Sequence, residues 1–571
     1  MFDSKRRLFA LALVGSAVAL ASGCGSSGSS GSSSGGGGNS SGGSGSHMGG
    51  TMKLQATGNP DSLDPAIAYE VESWQNLIMT NDGLTGFKRV GGPDGATLVP
   101  DLATAVPQAT DGGKTYVFHI QPNVKFSNGE PVVPSDFKHA WERDFLVGSP
   151  GTWTLGSIVG ASKCTAKACN LSSGVVADDS AMTLTVHLTA PDPEFLDKVA
   201  LPFSDAVPKS APNKDIGTNP LPATGPYMFK SYVPGQSITL VRNPQFHQWS
   251  KDAQPQGYPN EIVWQLGLQA DAEVTNVENG NADWMFEQPP PGRLNEIATQ
   301  YKSQVHINPL TATYWFFMNV NTPPFNNLKV RQALNYAIDR NATVKLYGGP
   351  ALAQPTCQVL PPNFPGYEQY CPYTANPAAG GKGAWTAPDM AKAKSLIAAS
   401  GTKGQNVTVW SETTTLSKSE GEYVVSLLNQ LGYHASLKSL DRGVYFDTVD
   451  NSSNKAQIGW WDWYQDYPAA SDFINTLLSC GAYIPNDDHS NNAAEFCNKS
   501  VDSTIKTALS QGATSTAAAN QSWAKADQMI TDQAPWLPMF NPKNIDFVSK
   551  RVGNYQFSPQ WLFLLDQAWV Q

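Results

Sequence analysis

Strand and helix signals alternate along this chain, and at 571 residues it exceeds what one hydrophobic core serves. These two observations predict an α/β protein with two or more lobes. The alternation is plainest where Val407, Val409 and Trp410 form a strand, Tyr423 to Leu431 a helix, and Ser436 to Leu440 a second strand. A third observation agrees: Tyr314 to Val320 is apolar but for Asn319, as a buried central strand requires. The composition, 40% hydrophobic and rich in aromatics, is that of a folded body. A formal charge of −10 and a pI near 5.3 argue against nucleic acid, because no Lys/Arg patch could neutralise phosphates.

The amino terminus is an address. Lys5, Arg6 and Arg7 form a basic n-region, and Leu8 to Leu20 an apolar stretch too short to span a bilayer, so residues 1–23 are expected to be a signal peptide. Ala21-Ser22-Gly23-Cys24 is similar to a bacterial lipobox, with Leu20 one position early. Lipidation of Cys24 would tether the protein to the outer face of the cytoplasmic membrane, each buried methylene adding ~0.8 kcal/mol. Arg6-Arg7-Leu8-Phe9 is also similar to a twin-arginine export signal. From residue 24 to 50 the chain is nearly all Gly and Ser, a flexible tether unable to bury apolar surface.

Setting Cys24 aside leaves six of the seven cysteines, an even number in an exported protein. They fall in local couples, and the sequential pairing Cys164–Cys169, Cys357–Cys371 and Cys480–Cys497 is favoured because it closes the shortest loops. No CxxC occurs and the 8 His are scattered, so no metal site and no cofactor is expected.

In order, Thr51 to Thr57 reads as an opening strand and Ser62-Leu63-Asp64-Pro65 as a turn. Val71, Trp74, Leu77 and Ile78 have helical spacing, in a helix expected to end at Gly83. Tyr116 to Ile120 alternates as a strand. Ser135 is the expected N-cap of a helix through Phe137, Ala140, Trp141 and Phe145, with Asp136 in its first turn. Val330, Leu334, Ala337 and Ile338 share one face of a helix that Pro323-Pro324 keeps from starting earlier. Gly432 lies just past the helix ending at Leu431, where a C-terminal glycine belongs.

Pro100 to Arg143 (PDLATAVPQATDGGKTYVFHIQPNVKFSNGEPVVPSDFKHAWER) resembles the signature region of the family 5 extracellular solute-binding proteins, the oligopeptide, dipeptide and nickel receptors of ABC importers. The likeness recurs in order at Ser62 to Ala66, Ala223 to Phe246, Tyr314 to Arg340 and Asp389 to Gly401, and in Trp463, Asp466, Tyr467 and Pro468 for the family's W-x-x-D-Y-P. It implies a two-lobed, periplasmic-binding-protein-like α/β fold (type II, large cluster, extra subdomain in lobe I). Lobe I would span 51–309 with an inserted subdomain at about 91–212, lobe II 310–540, and 541–571 would return to lobe I.

The aromatic stretch Gln457 to Phe473 furnishes the expected binding wall. Trp460, Trp461 and Trp463 offer flat platforms, with Tyr467, Asp462 and Asp466 interleaved. The resemblance places Asp466 where peptide receptors hold a ligand's α-ammonium group, by a charge-assisted hydrogen bond, and Trp463 where they stack. Arg442 stands where many have an aromatic and could pair with a ligand carboxylate. Tyr69, Glu70, Val71 and Ser73 fall where the family lays an extended ligand along lobe I, and Trp153 would form the far wall. The family's downstream carboxylate is replaced by Ala469-Ala470, and extra tryptophans also suit sugar rings.

The expectation is therefore a monomeric, lipid-anchored, extracytoplasmic receptor. It would capture di- or oligopeptides by hinge closure and hand them to an ABC permease. The alternative is the same fold carrying an oligosaccharide. A cell-surface hydrolase using Asp462 and Asp466 is the remaining reading; no GxSxG, P-loop or GxGxxG supports catalysis.

Overall fold

Residues 47–571, apart from 488 and 489, are described by a computed structural model; of 442 and 443 only the backbone is. The signal segment, Cys24 and the tether up to residue 46 lie outside the described residues. His47 to Gly50, expected as the end of the tether, are instead packed. The Gly49 N–H donates to the Tyr258 carbonyl (2.9 Å), and His47 stacks on Trp569 at 4.0 Å.

The first lobe opens with strand β1 (Thr51–Ala56) and helix α1 (Val71–Thr80). Next come β2 (Thr115–His119), α2 (Pro134–Val147), β3 (Val175–Asp178) and β4 (Thr183–His187), with a core of their own that includes Phe118, Phe137 and Trp141. Strands β5 (Tyr227–Val233), β6 (Ser237–Arg242), β7 (Glu261–Leu266) and β8 (Trp284–Met285) complete the lobe's main sheet, ordered β8-β1-β7-β6-β5. β1 runs parallel to both its neighbours, and the β5–β6–β7 edge is antiparallel.

The second lobe contains β9 (Val305–Pro309), β10 (Ala312–Met318), α3 (Leu328–Ala337), β11 (Ala353–Pro355), β12 (Asn406–Glu412), α4 (Thr415–Leu431), β13 (His434–Leu440), α5 (Arg442–Asp450), β14 (Ile458–Tyr464), α6 (Ala470–Leu478) and β15 (Trp536–Phe547). Its sheet is ordered β9-β15-β10-β14-β12-β13, with β11 added on β15. Every residue of β10 is buried, as its apolar run predicts for a strand covered on both faces. The β12–α4–β13 segment is a parallel strand–helix–strand unit whose helix ends at Gly432 in the left-handed conformation. The β9–β15 ladder (Val305 opposite Phe547, Pro309 opposite Lys543) carries the chain out of the first lobe and back again. Past it, Val548 bridges to Trp284, and Trp561, Phe563 and Leu564 pack in the first lobe's core with Met52 and Trp264. The two-lobed α/β architecture follows, and the cysteines are bonded 164–169, 357–371 and 480–497.

Two element ends differ from expectation for local reasons. Helix α1 stops at Thr80 rather than near Gly83, because the Thr80 hydroxyl bonds Asn76 and Leu77 carbonyls and the Asn81 side chain, and Asn81 is extended. Helix α2 starts at Pro134 after an extended Val133, whose N–H is taken by Asp136 (2.8 Å). Proline at the first helical position loses no bond there. Ser135 is thus inside the helix, its hydroxyl donating to Asp179 (2.6 Å).

Several carboxyls are buried with raised pKa values. Burial pushes Asp82 up to about 6, Glu420 to about 8, and Glu273, which faces Glu287, to about 9. Such groups hold protons in the fold after the unfolded chain, titrating near ~4, has lost them. Their contribution is fully present below that value and is lost as pH climbs through the folded values. Melting temperature measured by calorimetry should accordingly fall between about pH 5 and pH 9; a Tm rising across that window would contradict this charge assignment.

Candidate functional site

A cavity of about 1440 Å³ lies between the lobes, lined by the start of α1 on one bank and by β14, α5 and the residues after β14 on the other. It exceeds the ~300–1,000 Å³ of most small-molecule pockets. Strand alternation sends Trp460, Asp462 and Tyr464 to one face of β14, and Trp461 and Trp463 to the other. Both faces of this sheet are covered, which corrects part of the expected platform. Trp460 and Trp461 are 5% and 4% exposed. Trp460 donates its Nε1–H to Glu420 (2.6 Å), and Trp461 packs edge-on against Phe446. Both border the cavity as core residues. Trp463 stands further out, its ring at right angles to Tyr69 (centroids 6.4 Å apart) and its Nε1–H on Asp472 (3.3 Å).

Asp466 follows at the end of the strand. Its N–H donates to Asp472 (3.0 Å), and its Oδ2 accepts from the Tyr69 hydroxyl at 2.7 Å, a contact from one lobe to the other. Only 6% exposed, the carboxyl is pushed up to about 7 by burial, which the Tyr69 hydrogen bond partly opposes. Burial and the neighbouring Asp466 raise the Tyr69 phenol well above its usual range, so it remains a donor.

Glu70, Val71 and Trp153 line the cavity as expected; Ser73 does not. Ser73 is fully buried and donates to Asp61, which also accepts the Tyr69 N–H (2.8 Å). Its role is to hold the loop that presents Tyr69. Tyr467 also departs from expectation. It borders the cavity but is buried in the first lobe's core, stacked near Trp153 (6.0 Å), with its hydroxyl on Ser471 (2.9 Å) and Glu194 (3.5 Å). That makes it a pin between the lobes rather than a free platform. Arg442 opens α5 at the edge of this wall, and its side chain lies outside the description. Among the described residues no group of three His, Cys, Asp or Glu could hold a metal ion.

The model of the bacterial extracellular solute-binding proteins, family 5 middle region, matches residues 97–484. The chain belongs to this family. The periplasmic oligopeptide-binding protein OppA of Salmonella typhimurium is 28% identical over 463 residues, 77% of this chain and 79% of that protein. The dipeptide-binding protein DppE of Bacillus subtilis is 25% identical over 512 residues, 86% and 87% of the two chains. Among solved structures, clavulanic acid biosynthesis oligopeptide binding protein 2 superposes with a TM-score of 0.81 at 23% identity, covering 92% of this chain and 96% of that one. The Helicobacter pylori binding protein DppA, in complex with the peptide STSA, gives 0.74 at 20% identity over 92% and 98%. These likenesses agree with the two-lobed fold.

In this family 5 protein, the groups that position the site were the ones least visible in sequence. Asp472 holds both Trp463 and the Asp466 backbone; its signal is an acid in the first turn of the apolar-striped helix α6. Its carboxyl is raised well above the usual range, first by burial and then by Asp466. Asp61 and Glu194 had no local signal. Glu194 reaches Ser471, 277 residues away, and burial raises its pKa.

Proposed function

We propose that this protein is the solute receptor of an ABC importer, and that it binds a di- or oligopeptide between its lobes and releases it unchanged. The observation that carries this reading is the buried Asp466 carboxyl, set at the aromatic end of β14 and met there by Tyr69 from the opposite bank. A peptide's α-ammonium can replace the phenol on that carboxylate, a stronger, charge-assisted bond in a water-poor cleft. Only the closed form offers both banks, so ligand shifts the population towards it, with the β9–β15 ladder as the connection that bends. Asp462 and Asp466 then serve binding, not hydrolysis. Anchoring through Cys24 would keep the receptor beside its permease on the extracytoplasmic face, in keeping with the periplasmic OppA relative. Among the described residues no helix is long and apolar enough to cross a membrane.

Intrinsic tryptophan fluorescence, titrated with di- and tripeptides and in parallel with cello-oligosaccharides, tests the reading. Peptides should saturate the signal, N-acetylation should weaken them, and the recovered peptide should be intact by mass spectrometry. The oligosaccharide reading is supported by the aromatic lining of Trp153, Trp463, Phe446 and Trp561; saturation by sugars alone would establish it in place of the peptide reading.

A further inference from the structure

The structure assigns to Glu194 and Ser471 the role of a closing latch: positioning residues that hold the lobes together through Tyr467, whatever guest lies between them. They set the release rate of every guest by one common factor, without touching any. The inference goes beyond the peptide reading, and only its kinetic test rests on that reading. Its basis is a contact between residues 277 positions apart. The Ser471 hydroxyl, in the first turn of α6 in the second lobe, donates to the Glu194 carboxylate in the first. The Tyr467 hydroxyl bonds Ser471 at 2.9 Å and approaches Glu194 at 3.5 Å. Glu194 is 9% exposed, and Ser471 and Tyr467 are 1% exposed. Tyr467 borders the cavity, whereas neither Glu194 nor Ser471 is among its described lining residues.

Both halves of the latch are set in advance by their own lobes. Pro191 and Pro193 fix two φ angles on either side of Asp192. The Asp192 carboxylate accepts the Glu194 N–H (3.2 Å) and the Lys198 ammonium (2.9 Å), which closes the turn. Glu194 is thus presented just before the short helix Phe195–Lys198, whose Phe195 is fully buried in the core of the first lobe's inserted segment. Across the interface, α6 buries Phe473, Ile474 and Leu477 in the second lobe, which fixes the position of Ser471. Pro193 meets the second lobe at another point. Gly512 ends the helix Lys499–Gly512, and a Cβ placed on it would lie 3.3 Å from the Pro193 Cγ.

None of these contacts belongs to the β9–β15 ladder on which the lobes swing, so opening parts them. In the closed form the bond from Ser471 to the carboxylate is charge-assisted and sheltered from water. Opening also draws the Tyr467 ring out of the first lobe's core, where it lies near Trp153. An arriving ammonium replaces the Tyr69–Asp466 bond, but the latch stays made when the cleft is filled. Its free energy is therefore added to every closed complex alike. A guest leaves only through the open form, so the latch is read in the dissociation rate.

Stopped-flow tryptophan fluorescence with Ala-Ala-Ala and Ala-Lys-Ala tests the latch in Ser471→Ala and in Glu194→Ala, so that poor folding of one variant leaves the other to decide. Each is expected to speed dissociation of both peptides by the same factor, roughly tenfold or more, since a hydrogen bond to a buried charge is lost. Association should not be slowed, because entry uses the open form. The double variant should release peptide about as fast as either single one, because both changes remove one bond. Glu194→Gln keeps an acceptor for the Ser471 hydroxyl and should fall between Glu194→Ala and the wild type. Unchanged dissociation overturns the latch while the peptide reading stands. So does an effect confined to one peptide, which would make these residues guest contacts. If neither peptide binds, the peptide reading fails, and X-ray scattering of the guest-free proteins decides. A larger radius of gyration in both alanine variants than in the wild type supports the latch, and equal radii overturn it.

Discussion

Asp466→Asn is expected to weaken binding of a tripeptide with a free amino terminus by roughly 30-fold or more. Removing one partner of a buried, hydrogen-bonded charge pair costs ~2–5 kcal/mol, and each ~1.4 kcal/mol is a factor of ten. Asparagine keeps an oxygen for the Tyr69 hydroxyl at nearly the same place, so the loss reports the charge rather than a rearranged loop. An N-acetylated peptide, lacking the ammonium, should bind both proteins equally weakly. The pH profile gives a second readout. The free carboxyl titrates at about 7 because burial disfavours its charged form, whereas an ammonium beside it favours that form. Affinity of the wild type should therefore climb as pH rises through about 7, until the peptide's own amine deprotonates near ~8. The variant should lack the climb. Undiminished affinity in Asp466→Asn, or the same climb, would remove this carboxylate from the site.

The same stretch shows how far sequence could be read. The apolar run around Tyr314 could only be a strand buried on both faces, and Gly432 could only follow a helix end, so the second lobe's frame was legible. Helix α2 was placed correctly but its start was not, because Pro134 and Asp136 outcompeted Ser135 for the entry. Within the aromatic cluster, adjacency in sequence hid opposite fates. Period-2 alternation assigns Trp460 and Trp461 to different faces of β14, but both faces are packed, so neither is left as an open platform. Tyr467 enters the core of the other lobe, where its hydroxyl meets Glu194 from a distant part of the chain. Ser73 looked like a ligand contact by position; its partner Asp61, twelve residues earlier, takes its hydroxyl instead. Residues that present the site could be found only once the chain brought distant segments together.

The largest effect on stability is expected where the inserted segment is tied to the turn that precedes Tyr69. Asp64 of that turn receives both terminal nitrogens of Arg143, at 2.7 and 2.5 Å, with both residues fully buried. Arg143 also donates to the carbonyls of Pro212 (2.8 Å) and Lys214 (2.8 Å), so a single guanidinium joins α2, the turn and the exit of the insertion. In Arg143→Met the apolar stem is replaced at similar length, but the Asp64 carboxylate is left in the interior with only the Ala66 and Ile216 N–H groups (3.1 and 3.2 Å). Stranding a buried charge costs ~3–5 kcal/mol, which lowers the melting temperature of the affected lobe by about 5–10 °C. Asp64→Asn added to Arg143→Met removes the stranded charge and keeps an acceptor for one of the two backbone donors, the Ala66 N–H, while its amide nitrogen faces that of Ile216. The double variant should then recover a substantial part of the loss, and the double-mutant cycle should give a coupling well above ~1 kcal/mol. A single variant that loses less than about 1 kcal/mol, or two changes that simply add, would mean that the pair is not what secures the insertion to the turn. Strict pairing is required here for a physical reason: the same burial that strengthens the bidentate bond leaves neither ion a route to water when its partner is gone.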